Sequence, residues 1–428
     1  MSMRYGLLGG MILLSLFSRG ALYGERSYTW KECVELTERS QPDLVAAREK
    51  VLQAKAAVGV ARSGYLPQVD AVAGVSRSRK EFSEPYSGSK TADTYSYGVK
   101  GRQLLFDGMK SVYDIKAAGK NLEEAEYQFQ VVSAAVRLSL RQAFVQLLKT
   151  QETVKITKEI ADRRKRNLQL VRMRYRAGRE HKGALMTAQA SLGQADYEHA
   201  QALRNRDLAQ RQLVKEMGLR YQEAFSVTGE FTVEVAQREK PDFDRMVERN
   251  PNLQRAIKQR EAAEYAAKAA RSGWYPTIDA YGSAGKTGPN FPPANTEWAV
   301  GLEMTYPLFQ GGATHYGSAK AEAQMRQLKA EVISARAGVL IALEQKWINL
   351  QNEIDRVKVQ YQYLQAAEER SRIAEAQYNV GFILFDNWII IEDALANAKK
   401  SYLEAKAGAL VAEAEWLQAK GETLSYDK

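Results

Sequence analysis

A single cysteine, Cys33, among 428 residues excludes an internal disulfide and a cage of thiolate metal ligands. Histidine is nearly as scarce: His181, His199 and His315 stand far apart, without ligand spacing. No GxxxxGK[ST] loop is present to cradle nucleotide phosphates, so any energy source must sit in another protein. Acidic pairs such as Glu123-Glu124 fall in helical stretches and read as solvated faces. The expectation is a protein that is not an enzyme and uses no cofactor. Beyond the N-terminus no apolar run reads as a transmembrane helix. Proline is absent from Gly108 to Gly178 and again from Gly312 to Gly381, so nothing there interrupts a long helix. Charge of one sign is in excess, at net +10. The basic residues are interleaved with acids, as in Arg163-Arg164-Lys165-Arg166 after Glu159 and Asp162. They read as solvated helix faces, and no nucleic-acid partner is expected.

What the N-terminus does have is the pattern of a secretion signal over residues 1–24. Arg4 supplies the positive end, Gly6 to Phe17 a short apolar core, and Ala21 and Gly24 small residues for cleavage. No cysteine stands there to carry a lipid anchor. For an exported chain without a transmembrane helix, any membrane crossing falls to strands.

The chain also says nearly the same thing twice. Ala61–Ala71, ARSGYLPQVDA, matches Ala270–Ala280, ARSGWYPTIDA, at seven of eleven positions, 209 residues apart. Leu105-Phe106-Asp107-Gly108 returns as Leu308-Phe309-Gln310-Gly311 at a spacing of 203. Val136, Leu140, Phe144, Leu147 and Val154 recur at that spacing as Val339, Leu343, Trp347, Leu350 and Val357. Tyr175-Arg176-Ala177-Gly178 answers Tyr378-Asn379-Val380-Gly381. A period this long is no solenoid repeat; one structural unit has been built twice.

Within each copy the periodicity changes from 3.6 to 2 after a proline, Pro67 or Pro276. Val69, Ala71, Ala73 and Val75 alternate with Gln68, Asp70, Gly74 and Ser76; Trp298, Val300, Leu302, Met304 and Tyr306 alternate with Ala299, Gly301, Glu303 and Thr305. Four strands are expected, at about 67–77, 94–106, 276–286 and 297–307, each long enough to cross a bilayer when tilted. The polar stretch Ser76–Asp93 and the Pro/Gly/Asn-rich Lys286–Thr296 read as exposed loops. Four strands cannot enclose water, since even eight fill their interior with side chains. A water-filled barrel therefore needs several copies.

The proline-free stretches predict helices of roughly 105 Å, and the Val136 ladder steps by four, four, three and seven, a heptad-like seam. Returning helices pair with them as antiparallel hairpins over 108–218 and 312–420. The first repeat spans 25–218, a connecting equatorial module 219–250, the second repeat 251–420 and a tail 421–428. The fold class is mainly α with a small β part.

This doubled order of helix, strand pair, very long helix and returning helix resembles the TolC family of outer-membrane efflux channels. The paired Ala61–Pro67/Ala270–Pro276, Leu105–Gly108/Leu308–Gly311 and Tyr175/Gly178–Tyr378/Gly381 motifs carry the likeness. The resemblance implies a homotrimer whose strands close a 12-stranded barrel in outer-membrane lipid of a Gram-negative cell, continued by a helical periplasmic tunnel. It further implies a passive duct whose hairpin tips, here Tyr175, Ala177, Gly178, Tyr378, Val380, Gly381 and Phe382, meet a periplasmic adaptor protein. That adaptor links the duct to an inner-membrane pump of RND or ABC type. A periplasmic gate would lie beyond Gly381, among Asp386, Asn387, Ile390, Glu392 and Asp393; surface solvation accounts for these carboxylates equally well. For the aromatic Phe385 and Trp388, coiled-coil packing competes with a constriction. The alternative function is a soluble periplasmic coiled-coil adaptor, which should lack paired amphipathic strands.

Overall fold

The computed structural model describes residues 26–82, 88–220, 225–233 and 240–424; the secretion signal expected over residues 1–24 lies outside them. A short strand β1 (Arg26–Tyr28) leads into α1 (Trp30–Ser40) and α2 (Pro42–Ser63). Thr29 and Glu32 cap α1 reciprocally, with the Glu32 carboxylate accepting from the Thr29 amide at 2.7 Å. Pro42 opens α2 in the first turn, where its missing N–H costs nothing. A hairpin follows, β2 (Gln68–Phe82) and β3 (Gly88–Phe106), then α3 (Lys110–Arg176) and α4 (Lys182–Glu216). The connector holds β4 (Phe225–Val227), paired in parallel with β1. The second copy runs through α5 (Phe243–Arg249), α6 (Pro251–Arg271), β5 (Thr277–Gly288), β6 (Asn295–Thr305), α7 (Ala313–Val380) and α8 (Phe385–Lys420).

The long helices have 67 and 68 residues, about 100 Å each at 1.5 Å per residue. Neither would be stable alone, and the returning helices, of 35 and 36 residues, reach only half their length. The other half is covered by α2 and α6. In both copies the returning helix ends against the start of its covering helix. The Ser40 hydroxyl donates to the Met217 carbonyl at 2.7 Å, and the Asn250 amide to the Ala419 carbonyl at 2.8 Å. The helices meet so closely that a Cβ on Gly218 would lie 2.4 Å from Ser40 O, and one on Gly421 2.4 Å from Pro251 Cδ. Both glycines also hold positive φ, at 71° and 89°, so two requirements select the same residue.

The doubled seam is the core. Val136, Leu140, Phe144 and Leu147 are buried, as are Leu343, Trp347 and Leu350; Val154, Val339 and Val357 are half-buried. One stretch of α3 is apolar enough in composition to cross a membrane, but half of it is buried within the protein, which makes it core. Cys33 is fully buried in the equatorial core, and burial, with Glu32 nearby, pushes its thiol up to about 12, leaving it inert. In the connector Phe225–Val227 forms a strand, whereas Phe231 and Val233 pack their side chains onto the core. The tail is not loose as far as Leu424, which is buried and whose amide donates to Ser133 Oγ at 2.9 Å.

The four long strands form one antiparallel sheet in the order β2-β3-β5-β6. Register gives the sheet two unlike faces. Asp70 lies opposite Lys100, Asp279 opposite Glu303, and Arg102 bridges to Asp279 at 2.7 Å on one face. Val69, Val75, Tyr97, Val99, Trp298, Val300, Leu302 and Met304 occupy the other, all exposed. Six register rows, from Met304 up to Val75, carry this band, interrupted by Gln103 in the Leu302 row and by Lys286 and Thr296 in the Tyr97 row near its loop end. At ~3.4 Å per residue and ~45° tilt they give a height of about 24 Å. Aromatics flank it: Tyr95, Tyr97 and Phe291 at the loop end, Trp274, Tyr275, Tyr306 and Phe309 at the helix end. The first hairpin is longer than expected. Residues 76–82 and 88–94 stay paired as a ribbon beyond the last β3–β5 pair, Tyr95↔Gly288. A polar sequence does not end a strand whose two faces are both wet, because the ladder hydrogen bonds need no buried face.

Candidate functional site

At the end remote from the sheet, both long helices terminate alike. The Gly178 and Arg179 amides donate to Tyr175 O (3.0 Å) and Arg174 O (2.8 Å); the Gly381 and Phe382 amides donate to Tyr378 O (3.0 Å) and Gln377 O (2.8 Å). These are two Schellman ends, with φ of +69° at Gly178 and +86° at Gly381. After the first, His181 caps α4, its Nδ1 accepting from the Ala184 amide at 3.1 Å.

Tertiary packing brings the two tips together. Arg174 donates to the Tyr378 carbonyl at 2.7 Å and lays its guanidinium 4.6 Å from the centre of the Tyr378 ring. That ring stacks on Trp388 at 4.3 Å, and its hydroxyl donates to Glu180 at 2.9 Å. Burial, then the Glu180 bond, pushes the phenol above its ordinary range. Phe385, Leu168, Val171, Ala184, Ala188 and Ala374 complete this core.

A polar layer lies beneath it. The Glu392 carboxylate is 3 % exposed; it accepts from Ser371 Oγ at 2.6 Å and pairs with Arg163 at 2.7 Å. Arg163 reaches Glu375 at 3.1 Å, Arg164 pairs with Asp393, and Lys399 with Glu159 at 2.6 Å. The layer therefore ties α3 to α7 and α8, and Lys400 adds α4 through Glu198 at 2.5 Å.

The expected site residues fall into two groups. Tyr175, Ala177, Gly178, Val380, Gly381 and Phe382 are exposed, with Phe382 at 84 % and Val380 at 72 %. Tyr378 is 1 % exposed; it cannot present a surface and instead clasps the two tips. Along α8, Asp386, Asn387, Ile390 and Asp393 share an exposed stripe, whereas Glu392 faces the other way into the polar layer. A carboxylate held by Arg163 and Ser371 is not part of an open acidic ring. Phe385 and Trp388 are buried packing residues. Arg163 and Arg164, read from sequence as part of a solvated run, turn inward, with Arg164 only 6 % exposed; the period-3.6 position beside Leu168 and Val171 was the available signal. Leu384, 74 % exposed, joins Val380 and Phe382 in an apolar tip beside the basic Arg172, Arg176, Arg179 and Lys182. Among the described residues no group of His, Cys, Asp or Glu is disposed to hold a metal.

Comparison with known proteins bears on this architecture. The sequence profile described as outer membrane efflux protein matches residues 34–219 and 243–422. The outer membrane efflux protein BepC of Brucella suis is 24 % identical over 329 residues, covering 75 % of this chain and 67 % of its own length. OpmQ of Pseudomonas aeruginosa, a pyoverdine export outer membrane protein, is 24 % identical over 369 residues, 79 % of this chain and 73 % of its own. The crystal structure of VceC from Vibrio cholerae superposes with a TM-score of 0.79 at 18 % identity, covering 92 % of this chain and 96 % of that one. The open state of the Neisseria gonorrhoeae MtrE channel gives 0.81 at 17 % identity, covering 91 % and 88 %.

Proposed function

The chain belongs to the outer membrane efflux protein family, and on that premise we propose that it works as a passive trimeric duct in a tripartite efflux system. It is an outer-membrane channel protein with a periplasmic helical part, and not an enzyme. The observation that carries the proposal is the sheet: four strands, an exposed apolar band of bilayer height, a charged opposite face and two open edges. In lipid, unpaired strand edges leave backbone groups unsatisfied. Three copies joined β6 to β2 give twelve strands around a wet lumen, with the charged face inward. A soluble adaptor has no use for such a band, and that alternative is not supported.

In the same reading the tips face the periplasmic adaptor, and through it the pump. Val380, Phe382 and Leu384 supply apolar contact, and the first tip supplies positive charge. The exposed stripe Asp386, Asn387, Ile390 and Asp393 on α8 is the candidate lining of the periplasmic entrance. The test is a photo-crosslinking side chain at position 382 in living cells, with the buried position 378 as control. The expected product is a cross-link from position 382 to a periplasmic protein that itself binds an inner-membrane transporter. Cross-links confined to lipid or to other copies of the chain would overturn the docking assignment.

A further inference from the structure

The ribbon that extends the first hairpin is charged asymmetrically. On the face continuous with the apolar band, Arg77 closes on Asp93 through two bonds of 2.6 and 2.8 Å. On the face continuous with Asp70 and Lys100, the rows are Ser76↔Thr94, Ser78↔Ala92 and Lys80↔Lys90. Two exposed lysines therefore stand directly opposite each other, and among the described residues neither has an acidic partner. Like charges in register destabilise a strand pair, so the arrangement carries a local penalty.

We propose that Lys80 and Lys90 form an anion-attracting collar at the outer mouth of the duct, acting on solutes that carry carboxylate or phosphate groups. This rests on the trimeric duct proposed above, in which the two lysines per copy become a ring of six. Twelve strands about 4.8 Å apart, tilted about 40°, give the barrel beneath the ribbon a backbone radius of about 12 Å. Lys80 and Lys90 stand on the ribbon above the last β3–β5 pair, so their ammonium groups act on solutes that pass the rim within about 8 Å, one Debye length at physiological salt. The six lysines thus set the charge met at the rim. The sheet below carries Asp70, Asp279, Glu297 and Glu303 against Lys100 and Arg102, so an acidic barrel ends in a basic mouth. Rings of lysine or arginine are the way pores favour anions.

The test uses the full-length trimer in planar bilayers at low salt, with inositol hexakisphosphate added on the loop side as a small polyanion. In the Lys80→Gln/Lys90→Gln variant the half-blocking concentration is expected to rise at least about tenfold, and the reversal potential in a KCl gradient to move toward potassium. Lys80→Arg/Lys90→Arg should keep the block, and Arg77→Gln, on the other face, should leave it unchanged. Equal block in parent and double-Gln pores would overturn the collar while leaving the duct standing, as would an Arg77→Gln effect of the same size. A parent that conducts no ions at all would overturn the duct and the collar with it.

Discussion

Tyr378 shows how one side chain can serve two hairpins. It is anchored on α7, stacks on Trp388 of α8, bonds Glu180 between the first pair of helices and receives Arg174 from α3. Tyr378→Phe keeps the packing and removes one hydroxyl bond, at a cost of about 1 kcal/mol. Tyr378→Ala should cost about 3–5 kcal/mol, as for other large buried aromatics. Limited proteolysis checks this: cleavage near residues 177–182 and 381–384 should accelerate sharply for Ala and little for Phe. Equal rates would show that the tips are held elsewhere. Glu392 belongs to the same scale. Glu392→Ala leaves the quarter-exposed Arg163 with Glu375 alone and should destabilise by about 1–3 kcal/mol, and Arg163→Met in the same chain should recover part of that, since a half-paired charge costs more than no pair. Thermal unfolding of the two variants decides it, and a double variant no better than the single one would refute the pairing. None of this was legible locally. The aromatic identity of Tyr378 and Trp388 could be read, but Glu180 and Arg174, the partners of Tyr378 on the first hairpin, lie 198 and 204 residues away, and periodicity alone does not say which face of a helix meets a second hairpin.

At the scale of elements, the sequence was most informative where one physical rule acted alone. Absence of proline and a heptad-like seam set the long helices, and strict alternation set β6, where Trp298, Val300, Leu302 and Met304 all lie on one face. It was least informative where two segments compete for one role. The returning helices stop at half the length of their partners because α2 and α6 already occupy the rest of the surface, a division that depends on the contacts at Gly218 and Gly421. The ribbon of the first hairpin reads in sequence as a loop because its composition is polar, although its Ser/Thr/Arg alternation still permits a ladder. The band itself invites a paired test. Val300→Glu, on the apolar face, should lower the yield of membrane-inserted trimer, with a penalty of about 2 kcal/mol or less because carboxylates are tolerated better than Arg or Lys. Ala299→Glu, its neighbour on the charged face, should assemble normally. Equal losses would place the register or the face assignment in error.

For the molecule as a whole, the buried apolar clusters among the described residues lie at two levels: the tips, and an equator where the cores of the two copies stand side by side and Val145 of α3 packs on Leu410 of α8; the four-stranded sheet has none. For the apolar face of these four strands, a hydrophobic environment must come from outside the chain. Cell fractionation should therefore recover the protein only with detergent, and a soluble periplasmic species would contradict the channel reading. The open edges at β2 and β6 have a consequence for biogenesis. A lone copy cannot enter the bilayer without exposing unpaired backbone to lipid, nor can it linger in the periplasm with a bare apolar band that invites aggregation. Insertion and association are thereby bound into one event. Pulse-labelled chains should pass from a chaperone-held monomer to an inserted oligomer with no membrane-embedded monomer between them.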